Sequence, residues 1–192
     1  MKKFFLMFSV AVLFSFTACN SDRDAGNSTN TDATNVAINN IMQRKSVRAY
    51  TEQTVGDDTI EAILRAAMAA PSAVDVRPWR FVVLKDKSRY DSVFEGNFNM
   101  DKFKQSAFVI VVCADTICLK RGTTTGEVEP NKMWRDDMGA ATENLLLAVE
   151  AYGLGAVWTS CYPHADRMTS VKVELGLPAE VRSEEHTSEL QS

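Results

Sequence analysis

A short stretch of small, cyclic and aromatic residues, 70–79, is the part of this sequence best suited to holding a ligand. It reads Ala-Pro-Ser-Ala-Val-Asp-Val-Arg-Pro-Trp and leads into the apolar residues 81–84. Its first proline ends a helix, because proline lacks the backbone N–H and clashes with the preceding turn. The small side chains of Ser72 and Ala73 let the backbone come close to a flat molecule. Residues 70–79, called the cradle below, therefore predict a wall for a planar ring.

A basic cluster upstream of the cradle, residues 44–50, reads Arg-Lys-Ser-Val-Arg-Ala-Tyr. The planar guanidinium of arginine matches the geometry of a phosphate, and a serine hydroxyl adds a neutral hydrogen bond. Arg44, Ser46 and Arg48, called the grip below, are therefore candidate phosphate ligands. The alternative is an ordinary basic helix end that complements the helix dipole.

The hydrophobic periodicity predicts the elements that must position the cradle and the grip. Helices are expected at 36–44, 58–70, 87–94, 133–152 and 164–175, and strands at 81–84, 107–114 and 156–159. The first helix places Ile38, Ile41 and Met42 on one face, and the second begins with a capping box at Asp58 and Glu61. The order predicts an α/β or α+β domain that lacks a closing element.

Two further segments are predicted from their composition. The strand at 107–114 is apolar throughout, which is typical of a strand buried on both faces. Residues 120–131 are rich in Gly, Thr and Glu and predict a mobile loop.

The N-terminal residues predict export. Residues 1–18 combine two lysines with an apolar run too short to span a bilayer and with small residues before Cys19. This pattern resembles a lipoprotein signal peptide with lipidation at Cys19; a plain secreted protein is the alternative. Residues 19–35 are polar and predict a flexible tether. We therefore expect the domain, residues 36–181, to be membrane-anchored on the periplasmic or cell-surface side.

The C-terminal residues 182–192 lack apolar periodicity. With suitable codons, their back-translation resembles a common sequencing adapter. We therefore expect this tail to be an artefact that replaces the natural continuation of the chain after Val181.

Composition limits the classes of partner and of site. The chain has 192 residues and a net charge of −4, which gives no support for nucleic-acid binding. Apart from Cys19 it has Cys113, Cys118 and Cys161, and His164 is the one histidine before the tail. These residues fit no zinc spacing well, so no metal site is expected. Cys113 is expected to be a buried core residue.

Four motifs, in this order, resemble the nitroreductase family of flavin-dependent oxidoreductases. They are Arg44-x-Ser46-x-Arg48, Ala70-Pro71-Ser72 with Pro78-Trp79, Ala141-x-x-Asn144-Leu145-Leu146-Leu147-Ala148, and Gly153-Leu154-Gly155-x-x-Trp158. The resemblance covers about residues 41–181. It implies an α+β, nitroreductase-like fold whose central mixed sheet is flanked by helices, and whose last strand is missing here. It also implies a homodimer with two FMN molecules at the subunit interface.

The resemblance implies a role for each matching residue. Arg44, Ser46 and Arg48 would hold the phosphate, the ribityl chain and the ring edge of FMN. Residues 71–73 (Pro71, Ser72 and Ala73) would line the isoalloxazine ring from the partner subunit. Asn99 and Lys102 would bind its pyrimidine edge, and Gly153 and Gly155 would let backbone amides approach the cofactor. A surface loop and a helix C-cap are the respective alternatives for the last two pairs.

Two cradle residues depart from the family's pattern. Family members often have Asn at the position of Asp75 and Gln at the position of Arg77. An anion at Asp75, beside a ring that accepts electrons, should disfavour the reduced flavin. The resemblance therefore implies an unusually low reduction potential.

The implied reaction is a ping-pong transfer of electrons. A donor, NAD(P)H in the family, would reduce FMN, and a small aromatic acceptor such as a nitroaromatic or a quinone would reoxidise it. No catalytic side chain is required, and His164 is expected to be structural or solvated. One alternative is a membrane-tethered protein that binds flavin or an aromatic ligand without NAD(P)H turnover. Another is the same fold without a cofactor.

Overall fold

The computed structural model describes residues 29–97, 100–122, 124, 126–162, 164–178 and 181–191. The helices in these residues are α1 (Thr29–Gln43), α2 (Asp57–Met68), α3 (Tyr90–Val93), α4 (Met100–Gln105), α5 (Trp134–Ala151) and α6 (Ala165–Glu174). The strands are β1 (Trp79–Leu84), β2 (Phe108–Asp115), β3 (Ile117–Leu119), β4 (Val128–Pro130), β5 (Gly155–Ser160) and β6 (Val181–Gln191). Short 3-10 turns lie at Ala73–Asp75 and Lys87–Arg89.

The main sheet has the strand order β1-β2-β6-β5, and each of its pairings is antiparallel. An isolated parallel bridge outside the named strands joins Ser46 to Ala156 on β5, and among the described residues the expected parallel pairing is present only as this bridge. Strands β3 and β4 form a separate hairpin. The expected α+β fold is confirmed.

Two apolar layers enclose the main sheet. One layer contains α2 and α5, with residues such as Ile63 and Leu145 packed against Ile110 of β2. The other contains α3, α4 and α6, with Phe103 and Val171 packed near Val109 and Cys113. Strand β2 is therefore buried on both faces, as its apolar sequence predicts. Cys113 is fully buried, as expected, and is not part of a disulfide.

Helix α1 differs from expectation in its start and in its surroundings. It begins at Thr29, seven residues before Val36, so residues 29–35 of the predicted tether are helical. Residues 1–28, which include Cys19, lie outside the described residues. Its expected apolar face is not buried in this chain, since Ile38, Ile41 and Met42 are 54%, 50% and 78% exposed. No helix among the described residues is long and apolar enough to cross a membrane.

The expected capping box of α2 is wrong. The helix begins at Asp57, its N-cap is Gly56, and no side chain caps it. Asp57 instead forms an ion pair with Lys85, the residue after β1. An acidic residue in the first turn still favours the helix, because it complements the helix dipole.

Two short elements were not predicted from the sequence. The β3–β4 hairpin occupies part of the expected loop, with Val128 opposite Leu119. Its strands are three residues long and mostly exposed, so they have no apolar alternation to detect. Helix α4 precedes β2 and contributes Phe103 as its buried residue.

The expectation that the last strand is missing is corrected by β6. This strand lies between β2 and β5, with Leu190 paired to Phe108 on one side and to Ala156 on the other. Strand pairing uses backbone N–H and C=O groups that every residue except proline carries, so a polar sequence can fill this position. The origin of residues 182–192 stays a prediction.

Candidate functional site

The cradle is a tight turn held by its own hydrogen bonds. The N–H of Asp75 donates to the carbonyl of Ser72 at 3.2 Å, and that of Val76 to the carbonyl of Ala73 at 3.1 Å. The Ser72 hydroxyl accepts the N–H of Arg77 at 3.0 Å. Pro71 is exposed, and Ser72 and Ala73 are half-buried, so this backbone lies at the surface, where a ring could stack against it.

The turn is built from left-handed residues that are not glycine. Val74, Asp75 and Arg77 have φ angles of 47°, 59° and 50°. A β-branched residue rarely adopts this region, because its side chain crowds the backbone. Such strain persists only where surrounding contacts impose it, and it is concentrated at binding sites.

The two off-pattern residues of the cradle bind each other. The Arg77 guanidinium contacts both carboxylate oxygens of Asp75, at 2.6 and 3.0 Å. The hydrogen bond and the charge of Asp75 raise the pKa of Arg77 above its ordinary value. The carboxylate of Asp75 is therefore paired with a cation, and this cation would offset much of its field at any ring bound beside the cradle. Asn and Gln, the residues frequent in the family, would form a neutral pair instead.

A cavity of about 830 Å³ opens beside the cradle. Residues 72 and 74–76 line one side, and the other is lined by Asp115 and by residues 117–121, which form β3 and the two residues after it. The volume is within the range of small-molecule sites, roughly 300–1,000 Å³. The sequence did not predict this second wall, because its residues belong to the undetected hairpin.

The grip is positioned by α5 and β5. The Nε of Arg44 donates to Glu143 of α5 at 3.0 Å. Ser46 bridges Ala156, and the N–H of Val47 donates to the carbonyl of Ala156 at 2.9 Å. Ser46 and Arg48 are exposed, and Arg48 donates to the carbonyl of Ser46 at 3.3 Å. The grip thus begins at the C-terminal end of α1, where the N–H of Arg44 donates to the carbonyl of Asn40 at 3.2 Å, and continues from Ser46 as an extended segment along the outer edge of the sheet.

Both predicted glycines have a structural reason within the chain. Gly153 has a φ of 68° and closes α5: its N–H donates to Glu150, and the N–H of Leu154 donates to Val149. This pattern is a Schellman C-cap. Gly155 is required by close packing, because a Cβ there would lie 2.8 Å from Val47. Gly155 therefore lets the grip approach β5.

The remaining predicted residues fall in different places. Lys102 is half-buried on α4, next to the start of β2, and Asn99 lies outside the described residues. His164 is exposed at the N-cap of α6. The described residues contain no group of three His, Cys, Asp or Glu side chains that could hold a metal ion.

The structure places the grip and the cradle at opposite ends of the sheet. Ser46 lies in one row across the sheet with Ala156, Leu190 and Phe108. The cradle enters β1 at Trp79, which pairs with Ala114. Phe108 and Ala114 are six residues apart on β2, or about 20 Å at the usual rise per residue. The sheet therefore keeps the two segments apart within one chain.

Comparison with known proteins agrees with this architecture. The profile of the nitroreductase family matches residues 41–95 and 88–183. A protein of Archaeoglobus fulgidus, described as an NADH dehydrogenase/NAD(P)H nitroreductase, is 38% identical over 141 residues, which span 73% of this chain and 76% of that protein.

Two solved structures show the same similarity in three dimensions. One, from Bacteroides thetaiotaomicron and described in the same words, is 37% identical with a TM-score of 0.71, covering 81% of this chain and 85% of that one. A nitroreductase from Desulfovibrio desulfuricans in complex with FMN is 28% identical with a TM-score of 0.66, covering 80% and 84%. The motifs, the fold and the matched residues agree: this chain belongs to the nitroreductase family.

Proposed function

We propose that the protein is an FMN-dependent oxidoreductase that carries electrons from a reduced donor, NAD(P)H in the family, to nitroaromatic or quinone-like acceptors by a ping-pong mechanism. Family membership supports this proposal, as do a similar structure solved with FMN and a relative described as an NAD(P)H nitroreductase. Bound FMN would supply the two-electron chemistry. The protein's own task is to hold the ring, exclude side reactions and tune the charge around it.

The described residues fit this cofactor. The exposed hydroxyl of Ser46 and guanidinium of Arg48 would bind the phosphate and ribityl end. The tight backbone of the cradle would stack against one face of the ring, and Lys102 would stabilise negative charge at its pyrimidine edge. No side chain is needed as a nucleophile.

The separation of grip and cradle is the observation that carries the oligomeric part of the proposal. A single FMN bound by both segments of one chain would have to span about 20 Å along the strands, in addition to the lateral distance from β5 to β1. In a two-fold dimer, the grip of one chain and the cradle of its partner can face each other, and symmetry makes two such sites. We therefore propose a homodimer with shared sites. The exposed apolar residues of α1 are available for its interface.

Mixed dimers test this arrangement directly. One chain carries Ser46→Ala and Arg48→Ala in the grip, and the other carries Ser72→Tyr, which blocks the cradle. Each homodimer should be inactive. A mixed dimer would contain one site with both segments intact, so an equal mixture refolded together should recover about a quarter of the wild-type sites by random pairing. NADPH-dependent bleaching of FMN and reoxidation by a nitroaromatic are measured.

The outcomes separate the rival arrangements. If each chain held its own complete site, the mixture would stay as inactive as its parts. A wild-type protein that binds yellow FMN but is not bleached by NADH or NADPH would contradict NAD(P)H turnover and leave a flavin-binding protein.

We also propose that the chain is a lipoprotein tethered through Cys19, with the domain outside the cytoplasm. The support is the sequence pattern of residues 1–19. NAD(P)H is scarce outside the cytoplasm, so the donor there would differ from the family's usual one. Mass spectrometry of the mature N-terminus tests the tether: a diacylglycerol on Cys19 is expected, and Cys19→Ser should release the protein from membranes.

We propose, finally, that residues 182–192 are foreign to the natural protein. The support is their resemblance to an adapter and their polar sequence in a central strand. Sequencing the gene from an independent library should give a different continuation after Val181; an identical continuation would refute the proposal.

A further inference from the structure

An aspartate on α5 links the turn of the cradle, residues 72–77, to the body of the domain. Asp137 is 4% exposed, and its Oδ1 accepts the N–H of Ala73 at 2.8 Å. The other hydrogen bonds described for the turn join Ser72, Ala73, Asp75, Val76 and Arg77 to each other. Those bonds give the turn its shape. Asp137 ties the turn to α5 at Ala73, and the chain directly after the turn is held at Pro78, whose carbonyl accepts the N–H of Asp115 at 2.8 Å.

The second oxygen of the Asp137 carboxylate is buried without a described hydrogen bond, which is unusual for a charged group. Oδ2 of Asp137 is buried and has no hydrogen-bond partner among the residues that the structure describes. A buried carboxylate is costly unless its oxygens are satisfied, and an apolar residue in its place would often be as stable or more so. A stability role alone therefore explains this residue poorly.

We propose that Asp137 is a positioning residue of the flavin site, which it serves by anchoring the cradle through the amide of Ala73. The inference rests on the proposed function only for its effect on the cofactor. The strain of the turn makes an anchor necessary, because Val74, Asp75 and Arg77 are all left-handed and would relax if the turn were released. A charge-assisted hydrogen bond from a long helix is stronger than a neutral one and holds its donor in a defined place.

Three variants distinguish loss of the hydrogen bond between Asp137 and Ala73 from a general effect of changing a buried side chain. Asp137→Ala removes the acceptor. Asp137→Asn keeps a side-chain oxygen that can accept the same N–H. Asp136→Asn changes the neighbouring exposed carboxylate and is the matched control. Should Asp137→Ala fail to fold, Asp137→Ser replaces it, since its shorter side chain cannot reach Ala73.

The first measurement needs no cofactor. Hydrogen exchange of the peptide that contains residues 70–79 is followed in the full chain without FMN. Asp137→Ala should speed exchange of this peptide by about tenfold or more, as expected for loss of a hydrogen bond to a charged group. Asp137→Asn should restore most of the protection, and Asp136→Asn should leave it unchanged. Unchanged exchange in Asp137→Ala would overturn the anchor, whether or not the protein binds FMN.

The second measurement uses the FMN-loaded protein. Asp137→Ala should shift the midpoint potential of the flavin and weaken its binding, while Asp137→Asn stays closer to the wild type in affinity. A lower melting temperature with an unchanged potential and affinity would show a structural role only and would overturn the positioning role. A wild type that binds no FMN would instead refute the proposed function, and the exchange measurement would still decide the anchor.

Discussion

At the scale of single residues, the Asp75–Arg77 pair changes what the sequence implied. The sequence identified both residues as departures from the family's pattern, but it treated Asp75 as a lone anion. The structure shows the two departures bound to each other. Both side chains are well exposed, at 64% and 71%, so the pair contributes little to stability. Its effect should therefore be visible in the redox potential of the bound flavin and not in the unfolding temperature.

A double-mutant cycle tests this electrostatic balance. Arg77→Gln leaves Asp75 as an unpaired anion and should lower the midpoint potential, because reduction adds negative charge to the ring. Asp75→Asn leaves Arg77 unpaired and should raise it. Each shift is expected to be on the order of 30 mV at most, because water screens this exposed pair. The double variant should lie near the wild type.

Redox titration with a reference dye measures the four potentials of this cycle. Identical values in all four proteins would show that the pair lies too far from the ring to act on it.

Asp86 provides a pH-dependent contribution to stability away from the site. The side chain of Ser88, and then its backbone N–H, hydrogen-bond the Asp86 carboxylate and lower its pKa. A group whose pKa is lowered by folding stabilises the fold above its unfolded pKa, near 4 for aspartate, and loses this contribution as the pH falls further. Asp86→Asn should therefore be less stable than the wild type at pH 7, and the difference should shrink below about pH 3.

Urea unfolding at the two pH values measures this difference. Asp91→Asn, which changes another exposed aspartate, is the comparison for a general effect of charge. A deficit that is the same at both pH values would contradict a role for the ionised carboxylate.

At the scale of the elements, the sequence predicts what has strong periodicity and misses what does not. The long helix α5 and the buried strand β2 were expected within one residue of their observed ends, because their apolar patterns are long. The β3–β4 hairpin and β6 have no such pattern, since pairing between backbones places them. The exposure of the apolar side of α1 also could not be predicted, because periodicity shows that a face is apolar but not what covers it.

The contact between Gly155 and Val47 makes the grip sensitive to one methyl group. Gly155→Ala would place its Cβ 2.8 Å from Val47 and should push the grip away from β5. We expect FMN to bind at least about tenfold more weakly, and stability to fall by about 1–3 kcal/mol, as for other overpacked sites. Equilibrium dialysis of FMN and urea unfolding measure the two effects.

Two controls accompany this variant. Gly139→Ala on α5 meets nothing within 4 Å and should bind FMN normally, with stability raised by up to about 1 kcal/mol through helix propensity. Adding Val47→Ala to Gly155→Ala should restore part of the binding. Normal binding by Gly155→Ala alone would argue against the grip as the phosphate site.

The exposed side of α1 can be tested as a dimer interface. Met42→Lys places a charge on this apolar face, where Met42 is 78% exposed. If the face is buried between subunits, removing this side chain costs about 1.5–3 kcal/mol, which raises the dimer dissociation constant by roughly tenfold or more. Val173→Lys on α6 is the matched control, because Val173 is 68% exposed on another helix. Sedimentation velocity over a concentration series measures the dimer dissociation constant of both variants. Equal constants for Met42→Lys and Val173→Lys would exclude this face of α1 as the dimer interface.

At the scale of the whole molecule, the motifs identified the parts of the site but not their distance from each other. Arg44, Ser46 and the residues of the cradle could be selected as candidate site residues because local residue types carry that information, and their roles stay predictions. Their separation is set by the strand order of the sheet, with β6 between β2 and β5. Long-range order of this kind follows from which backbones pair, and no local pattern encodes it. Asp137 was missed for the same reason: its partner Ala73 is 64 residues away in sequence.

The distance between grip and cradle also has a consequence for how the protein would work in a cell. If each FMN needs contacts from two chains, the concentration of complete sites rises with the square of the chain concentration when the dimer is dilute. A small number of chains free in solution would then hold little flavin each. Confinement of the same chains to a membrane surface would raise their local concentration and fill more of the sites. A membrane tether would thus raise the fraction of sites that hold FMN, besides determining where the protein is located.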